Sequence, residues 1–292
     1  MLVVMVSART SFTVPLPDGQ CLQLGPRTLV MAIVNVTPDS FSDGGERADP
    51  ARAIADALRM VEQGADILDI GGESTRPGAP PVSEAEELAR VVPVLEGLRG
   101  RVAVPLSIDT YKAAVAARAV ALGATIVNDV TAFAGDPDMA GVVARTGAAA
   151  VLMHHRGRSD DMYARAEYRD VMAEIRDELA ARVAAAEAAG VRRAQVILDP
   201  GIGFAKRAEH SLEALARLAE LSSLGLPILS GPSRKSFLRV AIGDVPPPAR
   251  VWGTAAAITA SVLAGAHIVR VHDVAPMADV VRVADAIRAA GR

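Results

Sequence analysis

Eight short apolar runs in this chain each end on a polar or charged residue that a hydrophobic core does not need. Alanine-rich stretches with the spacing of helices separate the runs. This alternation predicts repeated strand–helix units on a parallel sheet, and eight such units predict a closed α/β barrel of the (β/α)8, or TIM barrel, type. The predicted strands lie at residues 29–34, 67–68, 102–108, 125–127, 148–153, 196–198, 227–229 and 268–269.

The stretches between the predicted strands carry residues that favour helix ends. Pro50 follows Asp49, Glu86 stands three residues after Ser83, and single glycines close several of the stretches. The proline-rich segment 243–249 is expected to break a helix rather than to extend one. We expect helices at residues 50–63, 83–98, 111–122, 137–145, 167–189, 208–224, 251–263 and 276–290.

The chain is long enough for one barrel and little more. Of its 292 residues, 51% are hydrophobic, which suffices for a large core, and a single barrel uses about 250 residues. Only 3% are aromatic, so the core must consist of the aliphatic residues that suit parallel strands covered on both faces. We expect one domain over residues 1–292, in which a β-hairpin within residues 1–28 closes the lower end of a barrel at 29–292.

Charge and cysteine content limit the classes of partner. The chain has 31 basic and 34 acidic residues without a long run of either sign, so we expect no nucleic-acid partner and no membrane surface. No apolar run reaches the roughly 18 residues of a membrane span, and the apolar N-terminus carries no basic leader. The single cysteine, Cys21, cannot form an internal disulfide, which favours a reducing, cytoplasmic location and small-molecule partners.

Three connections after predicted strands, at residues 36–49, 71–82 and 201–207, are longer and richer in Gly, Pro, Ser and Thr than a strand-to-helix connection requires. The first two belong to motifs with candidate functional residues. The first motif spans residues 35–45 and begins at Asn35, and the second spans residues 69–78. Their glycines let a ligand approach the backbone, and their side chains supply hydrogen-bond donors. Long loops on the strand-end face of a barrel often carry function. The alternative is a set of ordinary turns, with Arg76 in a surface ion pair with Glu73.

Three acceptor-bearing residues, Asp109, Asn128 and Asp199, end three different predicted strands. In a closed barrel their side chains converge on one small volume, where a flat heterocycle with several N–H groups is the natural ligand. The two oxygens of a carboxylate match a ring N–H beside an exocyclic NH2, and we expect Asp199 to make that contact. The alternative for each residue is a cap on the following helix.

Cations follow the seventh and eighth predicted strands. Residues 231–236 include Lys235, and Arg270 and His272 stand two residues apart and so on one face of their strand. Two cationic clusters on adjacent strands predict a site for a diphosphate or a similar anion. Lys235 could instead form a Schiff base, as in lyases of this architecture. The consecutive His154 and His155 have no third ligand at a zinc-site spacing.

Taken together, these residues resemble the dihydropteroate synthase family of pterin-binding barrels, over about residues 29–290. Seven motifs that occur in the family's order carry the resemblance, which implies the condensation of 6-hydroxymethyl-7,8-dihydropterin pyrophosphate with p-aminobenzoate. The products would be 7,8-dihydropteroate and diphosphate, in folate biosynthesis. The motifs are Asn35 to Gly45, Gly71 to Gly78, Ser107 to Thr110, Asn128 to Val130, Asp199 to Phe204, Ser233 to Ser236 and Arg270 to Val274.

The resemblance implies a role for each group of site residues. It places the pterin against Asp109, Asn128, Asp199 and Lys235. It places the diphosphate against Arg270 and His272, with a Mg2+ ion on Asn35. It places the aminobenzoate beside Thr75, Arg76, Pro77, Phe204 and Ser236, under a mobile loop that holds Phe41 and Asp43. Further substrate contacts are expected from Met153, Ser233 and Arg234.

The same resemblance implies a homodimer and inhibition by sulfonamides, which mimic the aminobenzoate. Bond breaking between the pterin methylene and the diphosphate would precede attack by the amine, without a covalent enzyme intermediate. A pterin-dependent methyltransferase shares the barrel and its acidic pterin contacts but has no need of a diphosphate site. A pterin-binding protein without catalysis and a Schiff-base lyase at Lys235 are the remaining alternatives.

Overall fold

The structure is a computed structural model that describes residues 9–17, 19–37, 49–74, 79–157 and 161–291. Within these residues the chain begins with an antiparallel hairpin of β1 (Phe12–Pro15) and β2 (Cys21–Leu24). Eight parallel strands follow. They are β3 (Leu29–Asn35), β4 (Ile67–Gly71), β5 (Leu106–Asp109), β6 (Ala124–Asp129), β7 (Ala149–Met153), β8 (Val196–Asp199), β9 (Leu229–Ser230) and β10 (Ile268–Val271).

The eight parallel strands form a barrel. Hydrogen bonds join them in the order β8-β7-β6-β5-β4-β3-β10-β9. The two ends of this order meet through a parallel bridge between Leu198 and Ile228, and Leu198 N–H donates to Pro227 O at 2.9 Å. The (β/α)8 barrel predicted from the alternating pattern is therefore confirmed, with its weakest seam between β8 and β9.

Helices cover the outside of the barrel and begin close to the predicted caps. The Asp49 side chain accepts a hydrogen bond from Ala51 N–H, and the Ser83 hydroxyl accepts one from Glu86 N–H. No helix in the described part of the chain is long and apolar enough to cross a membrane. The helices are α1 (Pro50–Glu62), α2 (Glu84–Leu98), α3 (Ala113–Ala121), α4 (Met139–Thr146), α5 (Val171–Ala188), α6 (Ala208–Ala216), α7 (Arg239–Ile242), α8 (Val251–Leu263) and α9 (Val274–Ala290).

Several predicted boundaries were wrong for local reasons. The third strand begins at Leu106 instead of residue 102, because Pro105 has no N–H with which to join the ladder. The helix expected at 167–189 begins after Asp170, whose extended backbone and side-chain bonds to two amide groups cap α5. The helix expected at 208–224 ends at Ala216 and continues as a 3-10 turn over Leu218–Leu224.

The hairpin fills the amino end of the barrel. Val14, Leu16, Leu22 and Leu24 pack in one buried cluster with the inward-facing residues near the starts of the strands, such as Met31. A second, larger cluster fills the space between the strands and the helices. The predicted hairpin plug is confirmed, and the single domain over residues 1–292 stays a prediction. Because the amino end is filled with apolar side chains, the carboxyl end is left for polar groups.

Replacing Leu24 tests the contribution of the plug. Leu24 is fully buried in the cluster, so we expect Leu24→Ala to lower the free energy of unfolding by about 2–4 kcal/mol. Urea denaturation followed by circular dichroism measures the change. The exposed neighbour Gln23 provides the control, because Gln23→Ala should change the free energy by less than about 0.5 kcal/mol. Equal effects of the two substitutions would show that the hairpin does not pack as a plug.

Candidate active site

A network of charged and amide side chains crosses the carboxyl end of the barrel. Arg270, on β10, donates from Nε to Asp69 Oδ2 and from Nη2 to Asp109 Oδ2, each at 2.6 Å. Asn128, at the end of β6, donates from Nδ2 to the same Asp69 oxygen at 2.9 Å. Four strands thus contribute to one connected network, because parallel strands in a barrel bring their carboxyl ends to one face.

Burial changes the protonation of this network. Asp69 and Asp109 each have one buried carboxylate oxygen, Oδ1, without a hydrogen-bond partner among the described residues. Burial raises the pKa of Asp109 to about 7, although the Arg270 charge opposes the shift. Burial also disfavours the charge on Arg270, but Asp69 and Asp109 more than compensate and raise its pKa above the ordinary value. The two unpartnered oxygens therefore keep unused capacity to accept hydrogen bonds.

Asp199 and Lys235 lie at the same mouth. Asp199 Oδ1 accepts a hydrogen bond from Gly201 N–H at 2.7 Å, and burial raises the pKa of the Asp199 carboxyl. Lys235 Nζ donates to Ile202 O at 2.7 Å and lies 3.8 Å from the centre of the Phe204 ring. Burial lowers the pKa of Lys235 to about 7, and the Asp199 carboxylate limits the shift.

The turn that holds Phe204 needs its two glycines. Gly201 and Gly203 have φ values of +66° and +81°, in the left-handed region. A Cβ atom at Gly201 would lie 2.1 Å from His154 O, and one at Gly203 would lie 2.8 Å from Lys235 Cδ. Any other residue at these positions would displace either the Phe204 turn or Lys235.

The loop after β9 contacts the loop after β10. Ser233 Oγ accepts a hydrogen bond from the backbone N–H of His272 at 3.2 Å and lies 3.0 Å from His272 Nδ1. The Arg234 guanidinium forms two hydrogen bonds with the Asp273 carboxylate, and its Nε lies 2.9 Å from Oδ2. Ser236 is exposed at the start of a 3-10 turn. The loop therefore sends successive side chains to different walls of the site.

Two further predicted residues end strands at this mouth, and the others fall outside the described part of the chain. Asn35 is half-buried at the end of β3, opposite Gly71 of β4. Met153 is buried at the end of β7, in register with Asp199. The predicted residues outside the described ranges are Phe41, Asp43, Thr75, Arg76 and Pro77.

Sequence analysis missed one member of the network and a second buried cluster. Asp69 follows the predicted strand at residues 67–68, the same kind of position that identified Asp109 and Asp199, but no site role was predicted for it. Lys206 is buried behind the Phe204 turn, where Nζ donates to Phe204 O at 3.1 Å and lies 2.8 Å from His154 Nδ1. Burial lowers the pKa of Lys206 to about 7.

Lysine content alone could have indicated Lys206. The chain has only three lysines, Lys112, Lys206 and Lys235, against 28 arginines. Each lysine lies close to the carboxyl end of the barrel. Lys112 pairs with Glu73, in the loop after β4, and with the buried Glu87 of α2. Arginine occupies all the other positions among the 31 basic residues, so the rarity of lysine draws attention to these three positions.

The two adjacent histidines face different neighbours. His154 Nε2 lies 3.1 Å from Glu178 Oε2, while the His155 ring packs edge-on against Phe204 with 5.9 Å between ring centres. Burial lowers the pKa of both imidazoles to about 4, so both are neutral at pH 7. His154 thus belongs to the cluster behind the Phe204 turn, and His155 packs against the front of it.

The site as a whole combines two chemistries. Carboxylate and amide oxygens on β4, β5, β6 and β8 can accept hydrogen bonds from a flat, nitrogen-rich ring. Arg270 and His272, on and after β10, can face a negative group bound beside that ring. The guanidinium of Arg270 has five N–H groups, of which the two carboxylates occupy two. The arrangement suits a ligand with a polar ring and an anionic tail.

Comparison with known proteins identifies relatives that share this architecture. Residues 31–272 match the family model described as pterin binding enzyme. The dihydropteroate synthase of Synechocystis sp. is 48% identical over 277 residues, which cover 94% of this chain and 96% of the relative.

Solved structures of dihydropteroate synthases superpose on this chain. Xanthomonas albilineans dihydropteroate synthase with 4-aminobenzoic acid superposes with a TM-score of 0.89 at 45% identity, covering 96% of this chain and 99% of that one. Yersinia pestis dihydropteroate synthase with a sulfonamide drug complex superposes with a TM-score of 0.89 at 42% identity, covering 96% and 100%.

Amine labelling compares the environments of Lys235 and Lys112. A neutral amine reacts with acylating reagents, so we expect Lys235 to be acetylated in the native protein with a pH dependence centred near 7 instead of 10.5. Lys112 provides the internal control, because its carboxylate partners raise its pKa and so keep it charged. Peptide mass spectrometry after labelling at pH values from about 6 to about 10 measures the acetylation of Lys235 and of Lys112. Equal reactivity of Lys235 and Lys112 at neutral pH would contradict the assigned environment.

Proposed function

The chain belongs to the dihydropteroate synthase family of pterin-binding enzymes, and from that membership we propose how its side chains carry out the reaction. The enzyme is a transferase that condenses 6-hydroxymethyl-7,8-dihydropterin pyrophosphate with p-aminobenzoate. The observation that carries the assignment of roles is the convergence of Asp199, Lys235 and the Arg270 network on one mouth of the barrel.

We assign the pterin to the acceptor side of the mouth. Asp199 would pair with a ring N–H and the exocyclic NH2, since each carboxylate oxygen has two lone pairs and Gly201 N–H uses only one. Asp109 and Asn128 would bind other edges of the ring, and Lys235 would donate to a ring acceptor. Asp69, which accepts hydrogen bonds from both Asn128 and Arg270, joins this set as a residue that holds these two side chains in place.

The diphosphate would lie on the cationic side. Cleavage of the bond between the pterin methylene and the bridging oxygen sends the electron pair to the diphosphate, and Arg270 and His272 would stabilise that developing charge. The pterin ring would delocalise the positive charge left on the carbon. The amine of p-aminobenzoate then attacks this carbon and loses a proton, which forms 7,8-dihydropteroate.

The residues present fit Mg2+ bound mainly by substrate. The described part of the chain holds no group of three His, Cys, Asp or Glu residues able to chelate a metal, and Asn35 would supply a single amide oxygen. A donor set this small suits Mg2+, which retains several waters and binds substrate phosphates. When bound, Mg2+ would neutralise charge on the departing diphosphate.

The remaining predicted contacts concern the second substrate. Solved relatives hold 4-aminobenzoic acid and a sulfonamide, and we propose that this chain binds both beside Phe204 and Ser236. Thr75, Arg76 and Pro77 would complete that border, and Phe41 and Asp43 would close over it, as the family resemblance implies. Met153 and Ser233 stay predicted substrate contacts. Arg234 was predicted as another, but its pairing with Asp273 favours the different role argued below.

The alternatives differ in what they require of the cations. A pterin-dependent methyltransferase would not need Arg270 and His272 beside the pterin acceptors. A Schiff-base lyase would need Lys235 to attack a substrate carbonyl, whereas the dihydropteroate synthase reaction forms no bond between the substrate and an enzyme amine. A pterin-binding protein without catalysis would retain the affinity for the pterin and lack turnover, so the activity assay separates it from the enzyme.

The activity assay uses the purified chain with 6-hydroxymethyl-7,8-dihydropterin pyrophosphate, p-aminobenzoate and Mg2+, and measures dihydropteroate by chromatography and the released diphosphate. We expect turnover with Mg2+ and none with excess EDTA. Asp199→Asn, which keeps the shape of the side chain, should weaken pterin binding by about 1.5–3 kcal/mol, because it removes charged hydrogen bonds. The exposed Asp177 of α5 provides a matched control, Asp177→Asn. Binding without turnover by the wild-type chain would support the non-catalytic alternative.

We also propose that the chain forms a homodimer and works in the cytoplasm. Trp252, near the start of α8, is 79% exposed, and Val240, Val283 and Ile287 on α7 and α9 are also more than half exposed. A large exposed indole is costly in water and is typical of an interface. The absence of a second cysteine in the chain agrees with a reducing compartment.

Light scattering after size-exclusion chromatography tests the homodimer. We expect the wild-type chain to elute with twice the chain mass of 30.3 kDa, and Trp252→Glu to shift the population to monomer because it places a charge in the interface. Leu212, which is 43% exposed on α6, provides the control, and Leu212→Glu should leave the dimer intact. A monomeric wild-type chain at micromolar concentration would refute the proposal.

A further inference from the structure

Arg234 adopts a backbone conformation that a residue with a side chain avoids. Its φ of +58° lies in the left-handed region, which only three other non-glycine residues adopt in the described part of the chain, namely Ala132, Phe133 and Ala205. Such conformations cost free energy and persist where the surroundings hold them, often at functional sites. Arg234 stands between Ser233 and Lys235, both of which face the active site. The contacts that hold Arg234 therefore determine where its two neighbours point.

Three residues from other elements hold Arg234 from every side. The Arg234 N–H donates to Thr254 Oγ1 of α8 at 3.0 Å, and Arg250 Nη1 donates to Arg234 O at 2.8 Å. The Arg234 side chain forms its two hydrogen bonds with Asp273, in the loop after β10. Thr254 and Arg250 are buried, so they cannot shift without disturbing the packing of α8. Both backbone polar groups and the side chain of Arg234 are thus fixed.

The fixed conformation has two consequences in the site. Lys235 extends toward Ile202 O and the Phe204 ring, while Ser233 turns to the backbone and the ring of His272. The pairs Ser233–His272 and Arg234–Asp273 follow one another and join the loop after β9 to the loop after β10. These loops carry the lysine assigned to the pterin and the histidine assigned to the diphosphate, so one clamp sets the distance between the two halves of the site.

We infer that Arg234 is a positioning residue, which Asp273, Arg250 and Thr254 hold in a left-handed turn so that Lys235 and His272 face one substrate. This inference rests on the proposed function. It assigns roles to Asp273, Arg250 and Thr254, and it changes the expected role of Arg234 from a substrate contact to a support for its neighbours. The alternative is that the Arg234 guanidinium binds the diphosphate directly.

The two roles predict opposite effects of Asp273→Asn. If Arg234 positions the loop, loss of the Asp273 charge weakens the clamp, and we expect the dissociation constant of 6-hydroxymethyl-7,8-dihydropterin pyrophosphate to rise about fivefold or more. If Arg234 binds the diphosphate, release from Asp273 frees its charge, and the dissociation constant stays unchanged or falls. The Asp273 side chain makes no capping bond to α9, and asparagine caps helices as well as aspartate, so the helix itself should be unaffected.

A pair of variants at Arg234 tests the backbone. Arg234→Gly and Arg234→Ala both remove the guanidinium and differ by one methyl group, but only glycine adopts the left-handed turn without strain. The positioning role predicts that Arg234→Gly binds the pterin pyrophosphate at least about threefold more tightly than Arg234→Ala. A direct contact with the diphosphate predicts equal losses for both variants. Equal losses, or Ala binding more tightly than Gly, would overturn the inference even if Asp273→Asn failed to fold.

Isothermal titration calorimetry with the pterin pyrophosphate and Mg2+, without p-aminobenzoate, provides these dissociation constants. Asp279→Asn, an exposed substitution on α9 next to Arg282, is the matched control and should leave the dissociation constant unchanged. The activity of the wild-type chain distinguishes failure of the proposed function from failure of the positioning role. Failure of the wild-type chain to form dihydropteroate contradicts the proposed function, whereas normal wild-type turnover with unaltered binding in Asp273→Asn contradicts the positioning role alone.

Discussion

The active site depends on one buried ion-pair network, in which the Arg270 guanidinium lies between the carboxylates of Asp69 and Asp109. Without the guanidinium, two carboxylates would face each other in a region that burial has stripped of water, and at least one would have to take up a proton. The positive charge of Arg270 therefore allows Asp69 and Asp109 to be buried close to each other. The same contacts orient Arg270 itself, so the acceptors for a ring and a cation for an anion are fixed together.

The barrel separates its apolar and polar ends. The hairpin and the inward-facing aliphatic residues fill the amino end, which makes that end a continuous part of the core. The carboxyl end holds buried polar atoms, including Asp69 Oδ1 and Asp109 Oδ1, that have no hydrogen-bond partner in the described part of the chain. Such atoms lower the stability of the fold unless a ligand satisfies them.

Backbone conformation does as much to shape the site as side-chain charge. Gly203 must lack a Cβ because Lys235 occupies the space, and Arg234 must turn left-handed because its neighbours face different walls. At both positions the backbone of one residue adopts an unusual conformation, and the side chain that is thereby positioned belongs to another residue. Lys206 also supports the Phe204 turn, because its side-chain nitrogen donates a hydrogen bond to Phe204 O. Loops that appear simple in sequence are therefore held by contacts on every side.

The sequence by itself determined the barrel, the polar residues at its strand ends and the helix caps at Asp49 and Ser83, because the period of apolar residues and the preferences of Asp, Ser, Pro and Gly act over short distances. It also predicted that Asp109, Asn128 and Asp199 lie at one mouth, since parallel strands must end on one face, whereas Lys235 was grouped with them only through the family resemblance. Only the tertiary structure decided which side chains pair. The partners of Arg270 on two other strands, and of Arg234 at Asp273, depend on distances between residues far apart in the chain, which no local pattern encodes.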